Sequence, residues 1–293
     1  MYYLVIQITC GAVMVKVRVS LTLEEDVLKR LDFYSSSSGI DNRSFAVEEI
    51  LKSALASKSP RKAVILCGGE GTRLRPLTYE IPKSMVPVQG KPVLEHLINL
   101  FRKHGIFEII LCVGYLKDKI KSHFGDGSKY GVKITYVEEN EPLGTAGPIK
   151  LCKDLINETF IVSNGDELKN VNIPEMVSKC HRINDALGTI ALTTVQDTST
   201  YGVAKLDGSK ILEFVEKPSK GKAPSNLINS GLYVLEPEVI DMIPKGFSML
   251  EKDIFPKLAK KGRLYGYPFS GQWFTVGTID QYEVAIKNWR GIN

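Results

Sequence analysis

Three glycines and two arginines crowd into residues 66–78, LCGGEGTRLRPLT, directly after an apolar run, residues 63–66, that reads as a buried strand. Glycines at such a place let the backbone approach a ligand that a Cβ would exclude, and their N–H groups can face an anion. The guanidinium forks of Arg73 and Arg75 suit a polyphosphate. The pattern lacks the Gly-Lys-Ser/Thr ending of a P-loop and the spacing of a dinucleotide fingerprint. A tight turn with solvated arginines would account for a bare pair of glycines, but not for thirteen residues of this composition. Further on, the apolar run at 160–162 leads into Ser163-Asn164-Gly165-Asp166. A carboxylate at the C-terminal end of a strand suits Mg²⁺ or Mn²⁺, hard cations that take oxygen ligands and keep waters.

With Pro82-Lys83-Ser84-Met85-Val86-Pro87-Val88 following it, this string resembles the signature of the sugar-phosphate nucleotidyltransferases, the nucleotide-sugar pyrophosphorylases. The resemblance runs from about residue 62 to the C-terminus. It implies an α/β fold: a three-layer, Rossmann-like nucleotide-diphospho-sugar transferase fold with a mixed, mainly parallel sheet. It also implies condensation of a nucleoside triphosphate with a sugar 1-phosphate, releasing pyrophosphate. Leu66, Gly68, Gly69, Gly71 and Thr72 then approach the nucleotide, Arg73 the β and γ phosphates, and Lys83 the α phosphate. Asp166 becomes the metal ligand.

EPLGTAGP, at 141–148, is a second motif and resembles that of mannose-1-phosphate guanylyltransferases. It places Gly144, with close approach to the base, and Thr145 at the nucleotide. The pyrimidine-reading glutamine of thymidylyl and uridylyl relatives falls on Glu138 or Glu139. A carboxylate only accepts hydrogen bonds. Guanine offers two adjacent donors and thymine one, so a glutamate favours GTP; UTP or dTTP with glucose 1-phosphate is the alternative. Tyr201-Gly202 and Glu216-Lys217-Pro218 resemble the sugar-phosphate motif, with Gly202, Glu216, Lys217 and Asn229 at the sugar phosphate. In Trp273-Phe274-Thr275-Val276-Gly277-Thr278, relatives carry an aspartate, the second metal ligand, where this chain has Thr275. Asp280 is the nearest substitute. Residues 249–256, with Glu251, resemble an architectural element of the family.

The elements that must position these groups follow from pattern. Buried strands are expected near 62–66, 108–113, 132–137 and 160–164, with helices near 93–101, 173–183 and 279–289. At 293 residues, 43% hydrophobic and 24% charged, the chain has room for one large and one small domain. No apolar run approaches the roughly 18 residues of a membrane span. Cys10, Cys67, Cys112, Cys152 and Cys180 form no Cys-x-x-Cys pair, which reads as reduced thiols in the cytoplasm. The net charge is +5, while residues 1–60 hold seven Lys/Arg against seven Asp/Glu, so the excess lies with the large domain. That suits an enzyme handling anionic nucleotides.

Ahead of the transferase domain (61–293), residues 1–58 read as a separate module. Residues 15–22 alternate as a half-buried strand, and Thr22 and Ser44 stand where two helices begin. Residues 1–13 read as an extra edge strand or an upstream start. One strand and two helices bury too little alone, so a homodimer is expected. The module resembles a ribbon-helix-helix domain. That resemblance implies DNA contacts by Lys16, Arg18 and Ser20, and a phosphate at Ser44. A purely dimerising role competes, because the segment is electrically neutral. The rival reading of the whole chain is a nucleotide-sugar-responsive DNA-binding regulator with a weak transferase domain. Residues 57–60 read as the linker.

Overall fold

The computed structural model describes residues 3–10, 13–37, 40, 42–55 and 60–292; for residues 3–20, 37, 49 and 51–55 it describes the backbone alone. Two compact units emerge, Met1–Lys58 and Ser59–Asn293. Residues 57–59 of the expected linker lie outside the described residues.

In the first unit, β1 (Tyr3–Cys10) and β2 (Val13–Ser20) form an antiparallel hairpin with Tyr3 opposite Ser20 and Cys10 opposite Val13. Residues 3–10 are thus a strand, paired with its own chain. Lys16, Arg18 and Ser20 lie on β2, but their side chains are outside the described residues. Two helices follow, Glu25–Ser37 and Arg43–Leu55. Glu25 and Asp26 sit in the first turn of the first, as the helix dipole favours. A two-pronged ion pair joins the helices: Arg43 donates to Asp32 at 2.6 and 2.7 Å. The cap of the second helix differs from expectation. Asn42 Oδ1 accepts from the Ser44 N–H at 2.8 Å, so Asn42 is the cap and Ser44 stands inside the first turn.

In the second unit the strands are β3 (Lys62–Cys67), β4 (Pro87–Val88), β5 (Lys91–Pro92), β6 (Glu108–Val113), β7 (Lys133–Glu138), β8 (Phe160–Asn164), β9 (Glu167–Lys169), β10 (Gly188–Thr194), β11 (Gly202–Asp207), β12 (Lys210–Glu216), β13 (Leu227–Leu235), β14 (Leu264–Pro268) and β15 (Trp273–Thr275). Nine of them make one sheet in the order β10-β14-β12-β11-β13-β8-β3-β6-β7. β7, β6, β3 and β8 are mutually parallel, and β10 is parallel to β14. β13 runs antiparallel to β8, β10 and β11. The parallel character belongs to the half that carries the glycine loop.

Alternation along the parallel strands explains the three layers. Val64, Ile110, Cys112, Phe160 and Val162 join one core with helical residues such as Ile149, Val239 and Leu258. Ala63, Ile65, Ile109, Leu111 and Ile161 join a second with Leu94, Leu97, Phe101, Ile120 and Phe124. Strands buried on both faces read as unbroken apolar runs. A third cluster sets Trp289, fully buried, against Leu74, Val86, Leu168 and Val276. It ties the C-terminal helix, Ile279–Asn288, to the turns that carry Arg73 and Lys83. His96 and His104 make backbone contacts to Val88 and Val171, which is structural work. Among the described residues no helix is long and apolar enough to cross a membrane.

One feature has no counterpart in the expected pattern. Between Ile190–Tyr233 and Leu192–Asn229 the β10–β13 register shifts, so that β13 bulges. Gly231, at φ +61°, permits it. The carbonyls of Ser230 and Gly231 turn toward the buried Lys169, whose Nζ donates to both at 2.8 Å and pairs with Glu167 at 3.0 Å. Removing one member of a buried charged set leaves the others without partners. Lys169→Met is expected to destabilise the fold by about 3–5 kcal/mol, read as a lower urea midpoint; an unchanged midpoint would refute the clamp.

Candidate active site

The C-terminal ends of the parallel strands supply the site, as open α/β sheets do. β3 leads into residues 68–73, β8 into Gly165 and Asp166, and β7 into Glu139. They surround a cavity of about 510 Å³, lined by Leu66, Gly68, Gly69, Gly71, Thr72, Arg73, Lys83, Glu139, Gly144, Thr145 and Asp166 among others. These are the residues that the sequence nominates for the nucleotide.

The loop glycines do different things. Gly69 alone has open space where a side chain would be. A Cβ on Gly68 would stand 2.3 Å from Glu139 Oε1, and one on Gly71 2.9 Å from Thr78 and 3.1 Å from Lys83. Gly69 therefore leaves room for a ligand, while Gly68 lets the Glu139 carboxylate, and Gly71 the Thr78 methyl and the aliphatic stem of Lys83, close on the loop. Arg73 faces the cavity, with Nη2 3.7 Å from the Cβ position of Gly277. Arg75 does not belong to it. It pairs with Glu70 at 3.1 Å and lies over the Tyr79 ring, 5.0 Å from its centroid.

Lys83 and Asp166 form an ion pair, with side chains 17% and 25% exposed. Burial pushes the Asp166 carboxyl up, but the Lys83 charge and hydrogen bond, aided by Lys169, outweigh it and hold the pKa below the ordinary value. Close approach at the strand end is what places the carboxylate. The Gly165 N–H donates to Leu66 O at 3.0 Å, and a Cβ there would meet Leu66 O and Cys67 Sγ at 2.7 Å.

Of the two candidate glutamates, Glu139 faces the cavity. Burial pushes its carboxyl up, opposed by the Leu143 N–H at 3.3 Å. Glu138 turns outward between Lys117 and Lys121, whose hydrogen bonds hold its pKa at about 2. Gly144 and Thr145 correct the expectation in part. Both line the cavity, but the space freed at Gly144, φ +78°, is taken by Ser248 O, 2.3 Å from its Cβ position. Thr145 Oγ1 donates to Glu251 at 2.5 Å and accepts from the Leu250 N–H at 2.9 Å. The missing side chain at Gly144 thus admits the Ser248 carbonyl, and Thr145 ties the segment carrying Glu251 to the cavity wall.

The sugar-phosphate candidates do not line this cavity; they cluster around Glu251, which the cavity residue Thr145 bonds. A Cβ on Gly202 would stand 2.8 Å from Glu216 Oε2. Burial, and then Glu251 nearby, push the Glu216 carboxyl up. Asn229 Nδ2 donates to Tyr233 Oη at 2.9 Å, and that hydroxyl reaches Glu251 at 3.4 Å. Lys217 is 61% exposed, 3.7 Å from Glu216, and its backbone is left-handed at φ +49°, held by its N–H to Tyr201 O at 3.0 Å. A lysine in that region is strained. Sequence reasoning missed the set of Asn164, Glu167, Lys169 and Trp273: Glu167 accepts from Asn164 and from Trp273 at 3.0 Å each. The alternating Glu-Leu-Lys was the available signal.

Thr275 stands opposite Glu167 in the β9–β15 pair. Asp280 is exposed in the first turn of the C-terminal helix and is not among the cavity residues, so it does not replace the aspartate. Among the described residues no three acidic, His or Cys groups gather as a metal site. Asp166 brings one carboxylate to the strand edge of the cavity, beside Lys83. That donor set fits a Mg²⁺ shared with phosphate oxygens, since this ion commonly takes one or two carboxylates plus phosphates.

Residues 62–290 match the family model described as nucleotidyl transferase, and the chain belongs to that family. It is 40% identical over 222 residues to mannose-1-phosphate guanyltransferase beta-A of Xenopus laevis, covering 74% of this chain and 61% of that protein. It is also 40% identical over 243 residues to UTP–glucose-1-phosphate uridylyltransferase of Synechocystis, covering 77% and 62%. The solved UDP-glucose pyrophosphorylase complexed with UDP-glucose matches with a TM-score of 0.69 at 25% identity, over 78% of this chain and 97% of that one. The chain spans about three fifths of the length of the two sequence relatives.

The Lys83–Asp166 pair has a pH signature. Because the folded Asp166 pKa is depressed, the pair stabilises the fold above the ordinary carboxylate range and is lost as pH falls through the depressed value. Lys83→Met removes the charge that opposes burial. The Asp166 carboxyl should then titrate above its wild-type pKa, as read by carbon NMR of labelled aspartate.

Proposed function

We propose that the chain condenses a nucleoside triphosphate with a sugar 1-phosphate to give an NDP-sugar and pyrophosphate, with GTP and mannose 1-phosphate as its substrates. The observation that carries this is one cavity bringing together Arg73, Lys83, Asp166 and Glu139 around an open Gly69. The guanyltransferase relatives support the substrate pair. So does Glu139, an acceptor-only group against the loop, because guanine presents two adjacent donors where uracil presents one.

An oxygen of the sugar phosphate attacks the α-phosphorus. The bond from that phosphorus to the α–β bridging oxygen breaks in line, and pyrophosphate carries the electron pair away. Such transfers need positioning and charge stabilisation more than covalent help. Arg73 neutralises the β and γ phosphates and the leaving group. Lys83, released from Asp166 by the arriving triphosphate, turns to the α phosphate. Glu216 accepts from sugar hydroxyls, and Lys217, exposed and held by its strained turn, meets the sugar phosphate, with Gly202 and Asn229 beside it. Mg²⁺ or Mn²⁺ held on Asp166 supplies charge neutralisation of the phosphates when bound.

For the N-terminal unit we infer self-association. Among its described apolar side chains only Leu31 and Ala46 are buried, while Phe33 is 76% and Leu23 and Val27 each 42% exposed. A homodimer covering these residues is the simplest arrangement for so small a unit. A ribbon-helix-helix role with DNA contacts from Lys16, Arg18, Ser20 and Ser44 is the second reading, supported by the order of strand and paired helices. The balanced charge of residues 1–60 favours dimerisation alone.

Pyrophosphate release tests the main reading. GTP with mannose 1-phosphate should turn over in Mg²⁺ faster than UTP or dTTP with glucose 1-phosphate. Arg73→Ala and Asp166→Asn should each lower kcat by about 10²-fold or more. No turnover with any pair refutes the activity, and preference for UTP refutes the base assignment. Phe33→Asp with Val27→Asp should shift the intact chain from dimer to monomer in light scattering; a wild-type monomer refutes the inferred dimer.

A further inference from the structure

The loop after the Glu238–Met242 helix carries an aromatic ring to the mouth of the nucleotide cavity, and no motif announces it. Phe247 lines the cavity, yet it is 66% exposed, an unfavourable place for a large apolar side chain without a ligand. The ring is held in place by its backbone. The Ser248 N–H donates to Leu143 O, and the Ala146 N–H to Ser248 O, each at 3.0 Å. Gly144 and Gly147 make the contact flush: their Cβ positions lie 2.3 Å from Ser248 O and 2.9 Å from Gly246 O. Phe247 Cε2 is 3.4 Å from the Gly144 Cβ position. The next turn is fixed by the Met249 N–H on Asp253 Oδ2 at 2.7 Å. The backbone that carries the ring is therefore fixed in advance, on the rim shared with Pro142, Leu143 and Glu139.

We propose that Phe247 is the stacking platform for the base of the bound nucleoside triphosphate, and that with Glu139 it sets the preference for a purine. The proposal rests on the nucleotide reading of the cavity. Glu139 reads an edge of the base, and an edge contact alone leaves the faces of the ring unsatisfied. A flat aromatic face at the same rim supplies that second contact, and a two-ring purine covers more of it than a pyrimidine does. Gly144 contributes indirectly, by letting the 246–248 segment lie close enough to bring the ring there.

Calorimetric titration of the full chain with GTP, UTP and inorganic triphosphate in Mg²⁺ buffer tests this. Phe247→Ala should weaken GTP binding roughly 5- to 100-fold, weaken UTP less, and leave triphosphate unchanged. Phe247→Trp should restore GTP binding. The side chain is exposed, so the melting temperature should hold, and an unchanged triphosphate affinity shows that the site is intact. GTP affinity unaltered by Phe247→Ala overturns the stacking role and leaves the nucleotide reading standing. A wild-type chain that binds neither GTP nor triphosphate overturns both.

Discussion

An ion pair at the end of a buried strand governs the architecture of the cavity. Asp166 leaves β8 where Gly165 lies against Leu66, and Lys83 comes back to it from beyond the glycine loop. Neither charge would be tolerated so far out of water alone. Together they fix the distance between the loop, the following short turns and the strand edge. The Trp289 cluster reinforces this from behind, because Leu74 directly follows Arg73 and Val86 lies three residues after Lys83. The cavity's cationic side is thus built into the packing of the C-terminal helix.

Much of the fold was legible because of where it is buried. The runs at 62–67, 108–113 and 160–164 are apolar on both faces, as parallel central strands must be, and they sit where the pattern puts them. That the loop residues would gather at one cavity was legible for a different reason: glycines and cations in a fixed order restrict what the loop can do. What each glycine does was not legible. Gly68, Gly71 and Gly144 all lack side chains to admit protein atoms, and only Gly69 opens on the cavity. A sequence marks that space is needed, not what fills it.

Long-range polar contacts were the other blind spot. Lys169 looks like a surface lysine in a short polar strand, yet it is buried under a bulge 61 residues further along the chain. Asp32 and Arg43 pair between two helices that the helical pattern alone did not connect. Glu138 and Glu139 are neighbours with opposite fates, because adjacent residues leaving a strand point to opposite sides. Asn42 displaced Ser44 as the helix cap, an ambiguity inherent in two capping residues only two positions apart.

Lys217 poses a conflict between durability and chemistry. Its left-handed backbone is one that glycine adopts without strain, and the exposed ammonium contributes little to holding the domain together. Selection for heat resistance alone would therefore drift toward a smaller residue there. A laboratory search for hardier variants of this chain would discard the cation proposed for the sugar phosphate while every measure of folding improved.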